Sequence, residues 1–537
     1  MSKELNTFRQ EIVTMHKAIF RRNQHQIDES TDGYSPAFRR YKRRYQKYVQ
    51  TYQYRSRIET LEKAIHKAQI IYVGDYHTLP QSQRSFLRLL KRTEKQRPLA
   101  IALEFVQGCH QAALDDFTSG LLSERAFLET IDHENHWVFE GWMAFKPIFD
   151  FARENNCALL AIDARGKGAA GSTLLKRDQY SARKLANFHK HHPHHQIMTL
   201  VGEYHVAPPH LPKAVNDQLR AMDIDPLKHL SIYQNCENIY WELEEKGHEQ
   251  STPLVKISPR EYSIIIAPPI VCQQSFLNWL DIDEELPLFG APETNFRRYA
   301  NLIASFFDLP IGDALDEVEV ASVVDLSFLA RLQKRGDFTQ QDVRQIKKQI
   351  LSSESYYIPK AKMVYLGNLS VNHASEEATH FLRHICSKSL EPKHLVDAFY
   401  ARAMEEAVGF LGSKIINHLR KCPHTPDLER IRRNKNASAF HKEMARLILK
   451  HGRLLEGTKV RNSAEIYDCD AEMFNAVTHV IGYQLGERIY YSLVDGTLDK
   501  HEIRELFFDC FEDDGAAFTT YLYFFTRTKD IDIPERL

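Results

Sequence analysis

Four short apolar runs, separated by amphipathic stretches, constrain the fold of this chain more than any other feature. Each run is five residues long and nearly all apolar, and the four span residues 69–73, 99–103, 158–162 and 197–201. A strand in a parallel sheet that helices cover on both faces needs such continuous apolar sequence, because neither face meets water. The pattern predicts an α/β domain with a mostly parallel sheet and helices on both faces. The runs at 229–233 and 262–267 would extend that sheet.

The rest of the 537-residue chain has a different pattern. Length alone favours two to four domains, at about 150 residues per domain. After Asp283 the strand signals fade and amphipathic helical segments dominate, which predicts an all-helical C-terminal domain over 284–537. The α/β domain is expected over 61–283, and residues 1–60 are expected to form a basic and aromatic N-terminal helical segment.

Tyrosines recur along the N-terminal segment at steps of four, three and four residues, at positions Tyr41, Tyr45, Tyr48 and Tyr52. On a helix this spacing places them on one face, with Lys and Arg side chains on the others. Basic residues interleaved with aromatic ones can contact nucleic acid or an anionic membrane. We favour a tyrosine stripe packed on the α/β domain, with a solvated basic back. The whole chain carries 70 basic and 71 acidic residues, so no specific nucleic-acid partner is expected.

Two nearly identical pentapeptides, Val73–His77 and Val201–His205, directly follow two of the predicted strands. In an open parallel sheet the groups beyond the carboxyl ends of the strands line one crevice, so both pentapeptides should open onto the same site. Glu104 ends a third strand and joins them there. The residues expected to converge are Asp75, His77, Glu104, Glu203 and His205.

This set of two histidines and three carboxylates suits two kinds of chemistry. It could bind a divalent or iron ion through nitrogen and oxygen ligands. The metal ligands would then be His77, His205, Glu104 and Glu203. It could equally perform general acid–base catalysis, in which Asp75 would take part. In a purely structural alternative, each carboxylate caps the following helix and each histidine is a hydrogen-bonded core residue.

The motifs resemble those of the ChaN-like haem-binding-uptake proteins of the Tiki/erythromycin-esterase-like superfamily. That superfamily is marked by two Gly-x-x-His motifs, here Gly74–His77 and Gly202–His205, and by a strand-end glutamate, here Glu104. One position departs, since the family usually has Glu where this chain has Asp75. The similarity continues through residues 102–105, 111–117, 142–154 and 161–164, and it covers about 70–215.

The resemblance implies a ligand and leaves two functions open. The ChaN-like branch is linked to binding haem or iron, which implies that the crevice holds haem or another small-molecule ligand. Since tyrosinate is an axial ligand for ferric haem, the implied cofactor-binding residues are His77, His205, Tyr76 and Tyr204. Relatives in the superfamily are hydrolases, including esterases and metal-dependent proteases. In that alternative a carboxylate activates water, directly or with a metal, and the catalytic set is Glu104, Glu203, His77, His205 and Asp75.

The sequence also favours one cellular location. The N-terminal residues mix charges with apolar side chains, which is not typical of a signal peptide. Many ChaN-like proteins are lipoproteins with a lipobox cysteine, whereas the first cysteine here is Cys109. We therefore expect a cytoplasmic protein without a transmembrane segment, since no run approaches about 18 apolar residues. The eight cysteines lack a C-x-x-C pair and are expected to be free thiols, and a homodimer is compatible with the sequence.

Two further groups contain metal-binding residue types. Five histidines fall between His189 and His195 and would bind transition metals adventitiously, although we favour an exposed loop without a specific ligand. In the helical half, Glu377, His380 and His384 share a helix face, and Glu377-x-x-His380 resembles half of a ferritin-type di-iron motif. A second Glu-x-x-His is not apparent there, which favours an ordinary polar face.

Overall fold

The chain divides into two compact units. One consists of residues 22–280, and the other of the residues up to Arg21 together with 281–534. Helix α1, Thr7–Ser30, crosses the boundary between them. The computed structural model describes residues 7–30, 35–93, 97–137, 139, 141–164, 171–283, 292–322, 327–353, 355–367, 370–387 and 394–534.

The first unit is built on an eight-stranded sheet, in the order β1-β7-β8-β6-β2-β5-β3-β4. All neighbours from β8 to β4 are parallel, whereas β7 is antiparallel to both β8 and β1. The strands are β1 Tyr54–Arg55, β2 Ile70–Asp75, β3 Leu99–Gln107, β4 Ala158–Asp163, β5 Gln196–Gly202, β6 His229–Gln234, β7 Leu254–Ser258 and β8 Glu261–Ile264. The predicted α/β fold with a mostly parallel sheet is confirmed.

Helices follow most of these strands, as the alternating pattern requires. They are α2 Pro36–Tyr48, α3 Ile58–Lys67, α4 Pro80–Leu90, α5 Gln111–Ser119, α6 Glu124–Thr130, α7 His133–His136, α8 Trp142–Glu154, α9 Gly171–His191, α10 Leu211–Arg220, α11 Glu237–Glu245 and α12 Pro269–Asp283. Every residue of β2 and β5 is buried, which explains why their sequences are apolar without alternation.

Two of the N-terminal tyrosines are buried within the first unit. Tyr41 and Tyr45 are buried on α2, whereas Tyr48 at the end of that helix is 38% exposed. The ring of Tyr45 lies 5.9 Å from that of Tyr233 in β6. Helix α2 ends at Tyr48, so Tyr52 lies outside the helix, and the short strand β1 that follows pairs with β7. The aromatic face of α2 is therefore part of the core of this unit.

The second unit is predominantly helical, as predicted, and its central helix α18 is buried almost all round. Its helices are α13 Pro292–Phe307, α14 Ala314–Glu317, α15 Ser327–Lys334, α16 Gln340–Ser353, α17 Val371–Ser387, α18 Leu395–Ile416, α19 Thr425–Arg433, α20 Ala439–Leu455, α21 Ala471–Asp495, α22 Lys500–Glu505 and α23 Ala516–Thr528. No helix among the described residues combines the length and apolar character needed to cross a membrane.

The second unit also contains a small sheet that the sequence does not reveal. Its order is β10-β11-β9, with strands β9 Glu319–Ser322, β10 Ser355–Ile358 and β11 Met363–Leu366. Each strand has four residues, which is too short for a strand period to stand out from the surrounding helical pattern. The eight cysteines, all of which are described, form no disulfide.

Candidate functional site

The two pentapeptides lie on neighbouring parallel strands, β2 and β5, but they are not in register. Gly74 pairs with Val201 and Asp75 with Gly202, so the second copy is displaced by one residue relative to the first. Asp75 therefore ends β2, whereas Glu203 begins the 3₁₀ turn beyond β5. Because side chains alternate between the faces of a sheet, a displacement of one residue gives equivalent motif positions different surroundings.

The imidazole of the first copy, His77, is held by a carboxylate of its own motif. Its Nδ1 lies 2.9 Å from Oδ2 of Asp75, whose other oxygen accepts a hydrogen bond from the Gln83 amide. Burial disfavours the imidazolium, but the Asp75 carboxylate outweighs burial and raises the pKa of His77. The side chain of His77 is 19% exposed, and its ring centroid lies 5.0 Å from that of Trp137 and 4.7 Å from that of Phe139. The surroundings of His77 are therefore aromatic and partly open.

The imidazole of the second copy, His205, is held by residues from outside its motif. Its Nδ1 lies 2.6 Å from Oδ1 of Asp178 and 3.0 Å from the hydroxyl of Tyr41, which also donates to Asp178. Tyr41 comes from α2 and stacks on His210, with ring centroids 3.6 Å apart. Burial disfavours the imidazolium, but Asp178 outweighs burial and raises the pKa of His205. Only 8% of the His205 side chain is exposed, so this imidazole is covered.

Glu104 lies between the two imidazoles. Its Oε2 is 3.9 Å from Nε2 of His77, and its Oε1 is 3.8 Å from Nε2 of His205. The N–H of Gly202 donates to the same carboxylate. A Cβ at position 202 would lie 2.9 Å from Nε2 of His77, closer than real Cβ contacts. Glycine at this position therefore allows the groups around Glu104 to approach one another.

Arg177, from α9, compensates the buried charge of Glu104. Its guanidinium donates to Glu104 and, through Nε at 2.8 Å, to Asp163 at the end of β4. Burial raises the pKa of Glu104, but Arg177 and the two imidazoles outweigh burial and lower that pKa to about 2. Burial, opposed by Arg177, raises the pKa of Asp163 to about 6. At neutral pH, Glu104 is thus an ionised ligand or acceptor, whereas Asp163 can exchange a proton.

Not every residue predicted to converge lies in this group. The structure brings together Asp75, His77, Glu104 and His205. Among the described residues, the carboxylate of Glu203 forms no hydrogen bond or ion pair with them. Burial and the charge of Glu237 raise the pKa of Glu203, and Lys42 opposes them. Glu203 therefore belongs to a separate electrostatic environment.

The two motif tyrosines are both half-buried. Tyr204 packs against α2, and its ring centroid lies 6.0 Å from that of Phe38 and 5.0 Å from that of Tyr45. Tyr76 follows β2, and its carbonyl oxygen accepts a hydrogen bond from the N–H of Leu79. The ring of Tyr204 thus helps to anchor α2 on the edge of the sheet.

Four residues of the site were not among the sequence candidates, namely Tyr41, Asp163, Arg177 and Asp178. Asp163 ends a predicted strand, so the rule that led to Glu104 also applies to it. Arg177 and Asp178 lie within the first two turns of a helix that follows such a strand, which is a weaker signal of the same kind. Tyr41 comes from the N-terminal segment, and no local sequence pattern connects it to His205.

The arrangement leaves two imidazole nitrogens available for chemistry. Each histidine has its Nδ1 bonded to an aspartate, a pairing that orients the ring and makes Nε2 more basic. Among the described residues, neither Nε2 forms a hydrogen bond, and each faces one oxygen of Glu104. Such a set can bind a metal centre or exchange protons with a substrate.

The first unit is an α/β domain with a cluster of carboxylates and histidines at the carboxyl edge of its sheet. Residues 61–170 match the family model described as haem-binding uptake, Tiki superfamily, ChaN, which confirms the resemblance predicted from the motifs. A solved structure described as "Cofacial heme binding to ChaN of Campylobacter jejuni" aligns at 14% identity over 34% of this chain and 88% of that chain, with a TM-score of 0.28. No curated protein matches the chain.

Proposed function

We propose that the crevice binds haem, with Nε2 of His77 as the iron ligand. The match of residues 61–170 to a haem-binding-uptake family supports the ligand, and the surroundings of His77 support the residue. Haem iron accepts an axial nitrogen donor, and Asp75 orients the imidazole for that role. The observation that carries the proposal is the aromatic pair beside this ring, Trp137 and Phe139, because a flat apolar macrocycle needs such walls and a bare ion does not.

The aromatic side chains that suit a haem group lie on the His77 side of the site. The aromatic surface extends from Phe139 to Trp279, whose ring centroids are 5.1 Å apart. On the other side, Tyr41 covers His205 through a hydrogen bond and an edge contact. We therefore assign His205 a positioning role toward Glu104 rather than a ligand role. Tyr76 precedes His77 in the chain and is the alternative ligand, since tyrosinate also binds ferric haem.

A hemin titration of the full-length protein, followed by the Soret band, tests the proposal. His77→Ala should weaken binding by about tenfold or more, which corresponds to about 1.4 kcal/mol, whereas His205→Ala should leave the dissociation constant within about twofold. Tyr76→Phe should also bind normally. A wild-type protein without a saturable band contradicts haem binding. A larger loss in Tyr76→Phe than in His77→Ala moves the ligand to the tyrosine.

The histidine-rich segment, residues 189–195, provides the matched control. His191, His192 and His194 are exposed and could hold hemin without any specific site. A variant with all three changed to alanine should retain the Soret band of the wild type. Loss of the band in this variant, with retention in His77→Ala, contradicts the crevice as the binding site.

A metal-dependent hydrolase is the second candidate. It rests on the two imidazole nitrogens at 3.9 and 3.8 Å from Glu104, because two histidines and a glutamate form a known catalytic zinc set. The three donor groups would have to move closer together to hold one ion. In this candidate Asp163, with its pKa of about 6, exchanges the proton. Arg177 already compensates Glu104, so a cation would bind in competition with it.

Elemental analysis and an ester or peptide assay on the same samples separate the two candidates. In a metal-dependent hydrolase, Glu104→Gln should lose both the bound metal and the turnover. Glu203→Gln is the matched control, because that carboxylate lies outside the group around Glu104, and it should retain both. Wild-type protein without stoichiometric metal or turnover contradicts the hydrolase.

A further inference from the structure

Three side chains with zinc-type donor atoms converge in the helical unit. Cys422 and His424 lie in the segment between α18 and α19, and Glu487 lies in α21. Oε2 of Glu487 is 3.0 Å from Sγ of Cys422 and 2.9 Å from Nε2 of His424, and Sγ and Nε2 are 4.0 Å apart. Thiolate, imidazole and carboxylate are all zinc ligands. We propose that Cys422, His424 and Glu487 form a metal site for Zn²⁺ or a similar transition-metal ion.

The triangle of donor atoms has the size that a tetrahedral ion requires. With bond lengths of about 2.0–2.3 Å, the ligand atoms around Zn²⁺ are about 3.3–3.6 Å apart. The three observed separations, 2.9, 3.0 and 4.0 Å, lie on both sides of that range. Shifts of about half an ångström, within the reach of side-chain rotation, would bring the three donors onto one ion.

Neighbouring groups hold the three ligands in place. The other oxygen of Glu487 accepts a hydrogen bond from Lys414 at 2.8 Å, and both side chains are almost completely buried. The carbonyl oxygen of Pro423, between the two loop ligands, accepts a hydrogen bond from Gln484 on α21 at 2.7 Å. Such outer contacts orient ligands and are a regular feature of metal sites.

The site has a route to solvent. The side chain of His424 is 41% exposed, whereas that of Glu487 is 1% exposed, so an ion can enter from the histidine side. Three protein ligands would leave a fourth tetrahedral position for another ligand. Zinc sites with an open position bind water or a small molecule, in contrast to closed structural sites with four protein ligands.

A second group in the same unit has metal-ligand residue types, but arginines neutralise its carboxylates. Glu376, His380 and Glu406 also lie close together, on helices α17 and α18. However, Glu376 is paired with Arg420, and Glu406 with Arg402. Burial opposes ionisation of His380, but the surrounding carboxylates raise its pKa to about 9, so that it is protonated at neutral pH. This group is an ion-pair network, and it carries no metal proposal.

The alternative for the cysteine-containing group is a network without an ion. In that alternative Glu487 is only the counter-ion of buried Lys414, and the thiol and the imidazole donate hydrogen bonds to it. The alternative predicts no metal affinity and no change of the thiol on addition of metal. The two descriptions therefore differ in a directly measurable property, the formation of a metal–thiolate bond.

Titration of the chelator-treated, full-length protein with Co²⁺ tests the proposal. A thiolate ligand gives Co²⁺ an intense near-ultraviolet charge-transfer band, whereas the histidine-rich segment 189–195 and the crevice group around Glu104 contain no cysteine and give none. We expect a saturable band in the wild type that Zn²⁺ displaces. Cys422→Ser should abolish the band, and His424→Ala should weaken Co²⁺ binding by about tenfold or more.

The controls use residues of the same unit that lie outside the group. Cys469→Ser changes a partly exposed thiol whose contact is the carbonyl oxygen of Ile466, and His394→Ala changes an imidazole that is 69% exposed. Both should titrate as the wild type does. His424 is partly exposed, so its variant should remain folded, which far-ultraviolet circular dichroism checks. Absence of the band in the wild type, or its retention in Cys422→Ser, overturns the proposal.

Discussion

The two Gly-x-x-His motifs have almost the same sequence, yet they occupy different environments. In the first copy the motif's own Asp75 holds His77, which is partly exposed beside aromatic rings. In the second copy the residue equivalent to Asp75 is Glu203, which does not contact the histidine. Asp178 from α9 holds His205 instead. The two copies also lie against each other, since Gly74 packs against Glu203 and Gly202 packs against His77.

This difference shows that a repeated motif does not guarantee a symmetric site. A displacement of one residue between neighbouring strands places Asp75 opposite a glycine instead of opposite Glu203. The second histidine then needs a carboxylate from elsewhere, and α9 supplies it. We propose that the result is an open, ligand-binding copy and a covered, supporting copy, joined through Glu104.

The largest effect on stability is expected from removing the guanidinium of Arg177, which neutralises Glu104 between the two copies. Arg177→Leu leaves Glu104 buried beside Asp163 without a guanidinium, and it should lower the free energy of unfolding by about 3–5 kcal/mol. Urea unfolding followed by circular dichroism measures the change. Arg183→Leu is the matched control, because Arg183 lies on the same helix but is exposed, and its effect should stay within about 0.5 kcal/mol. Equal effects of the two variants contradict the described role of Arg177.

A smaller effect is expected from the two motif glycines, and it should be unequal. In Gly202→Ala the new methyl group would lie 2.9 Å from Nε2 of His77, which should cost about 1–3 kcal/mol and displace the imidazole. In Gly74→Ala the nearest atom is the backbone Cα of Glu203 at 3.3 Å, and this overlap does not fall on His77, so the loss of hemin affinity should be lower. Unfolding of both variants and the hemin affinity of each check the comparison. A greater loss of hemin affinity in Gly74→Ala contradicts the assignment of the open copy.

The smallest effect is expected for Glu203, which lies outside the group around Glu104 because the two motifs are displaced by one residue. Burial and Glu237 raise the pKa of Glu203 above its ordinary value of 4.5, so the folded state binds its proton more tightly than the unfolded state does. This contribution to stability is therefore present below the ordinary pKa and is lost as the pH rises through the raised one. Glu203→Gln does not titrate, and its stability should fall less between acidic and neutral pH. Urea unfolding across that range measures the slope, and an unchanged slope contradicts the environment described for Glu203.

Much of the fold could be predicted because a strand that is buried on both faces has a continuous apolar sequence. The apolar runs correspond to β2, β3, β4 and β5, and the resemblance to the ChaN-like family is confirmed over residues 61–170. The three strands of the small sheet could not be recognised, because four residues are too few to show a period.

The composition of the site was less predictable than its position. The strand-end rule locates Glu104 and the two motifs at one edge of the sheet. It does not fix the register of β2 against β5, which packing of the whole sheet determines, and the separation of Glu203 follows from that register. Arg177 and Tyr41 contact Glu104 and His205 from α9 and α2, and contacts between residues so distant in sequence leave no local pattern.

The most direct test of the account is chemical rescue of the ligand that the open copy is proposed to supply. Removing the imidazole in His77→Ala should leave a space beside Trp137 and Phe139 that free imidazole can enter. Addition of imidazole should then restore the wild-type Soret spectrum of the hemin complex in His77→Ala and leave that of His205→Ala unchanged. Rescue of His205→Ala instead, or a wild-type spectrum in His77→Ala without imidazole, would contradict the assignment of His77 as the ligand.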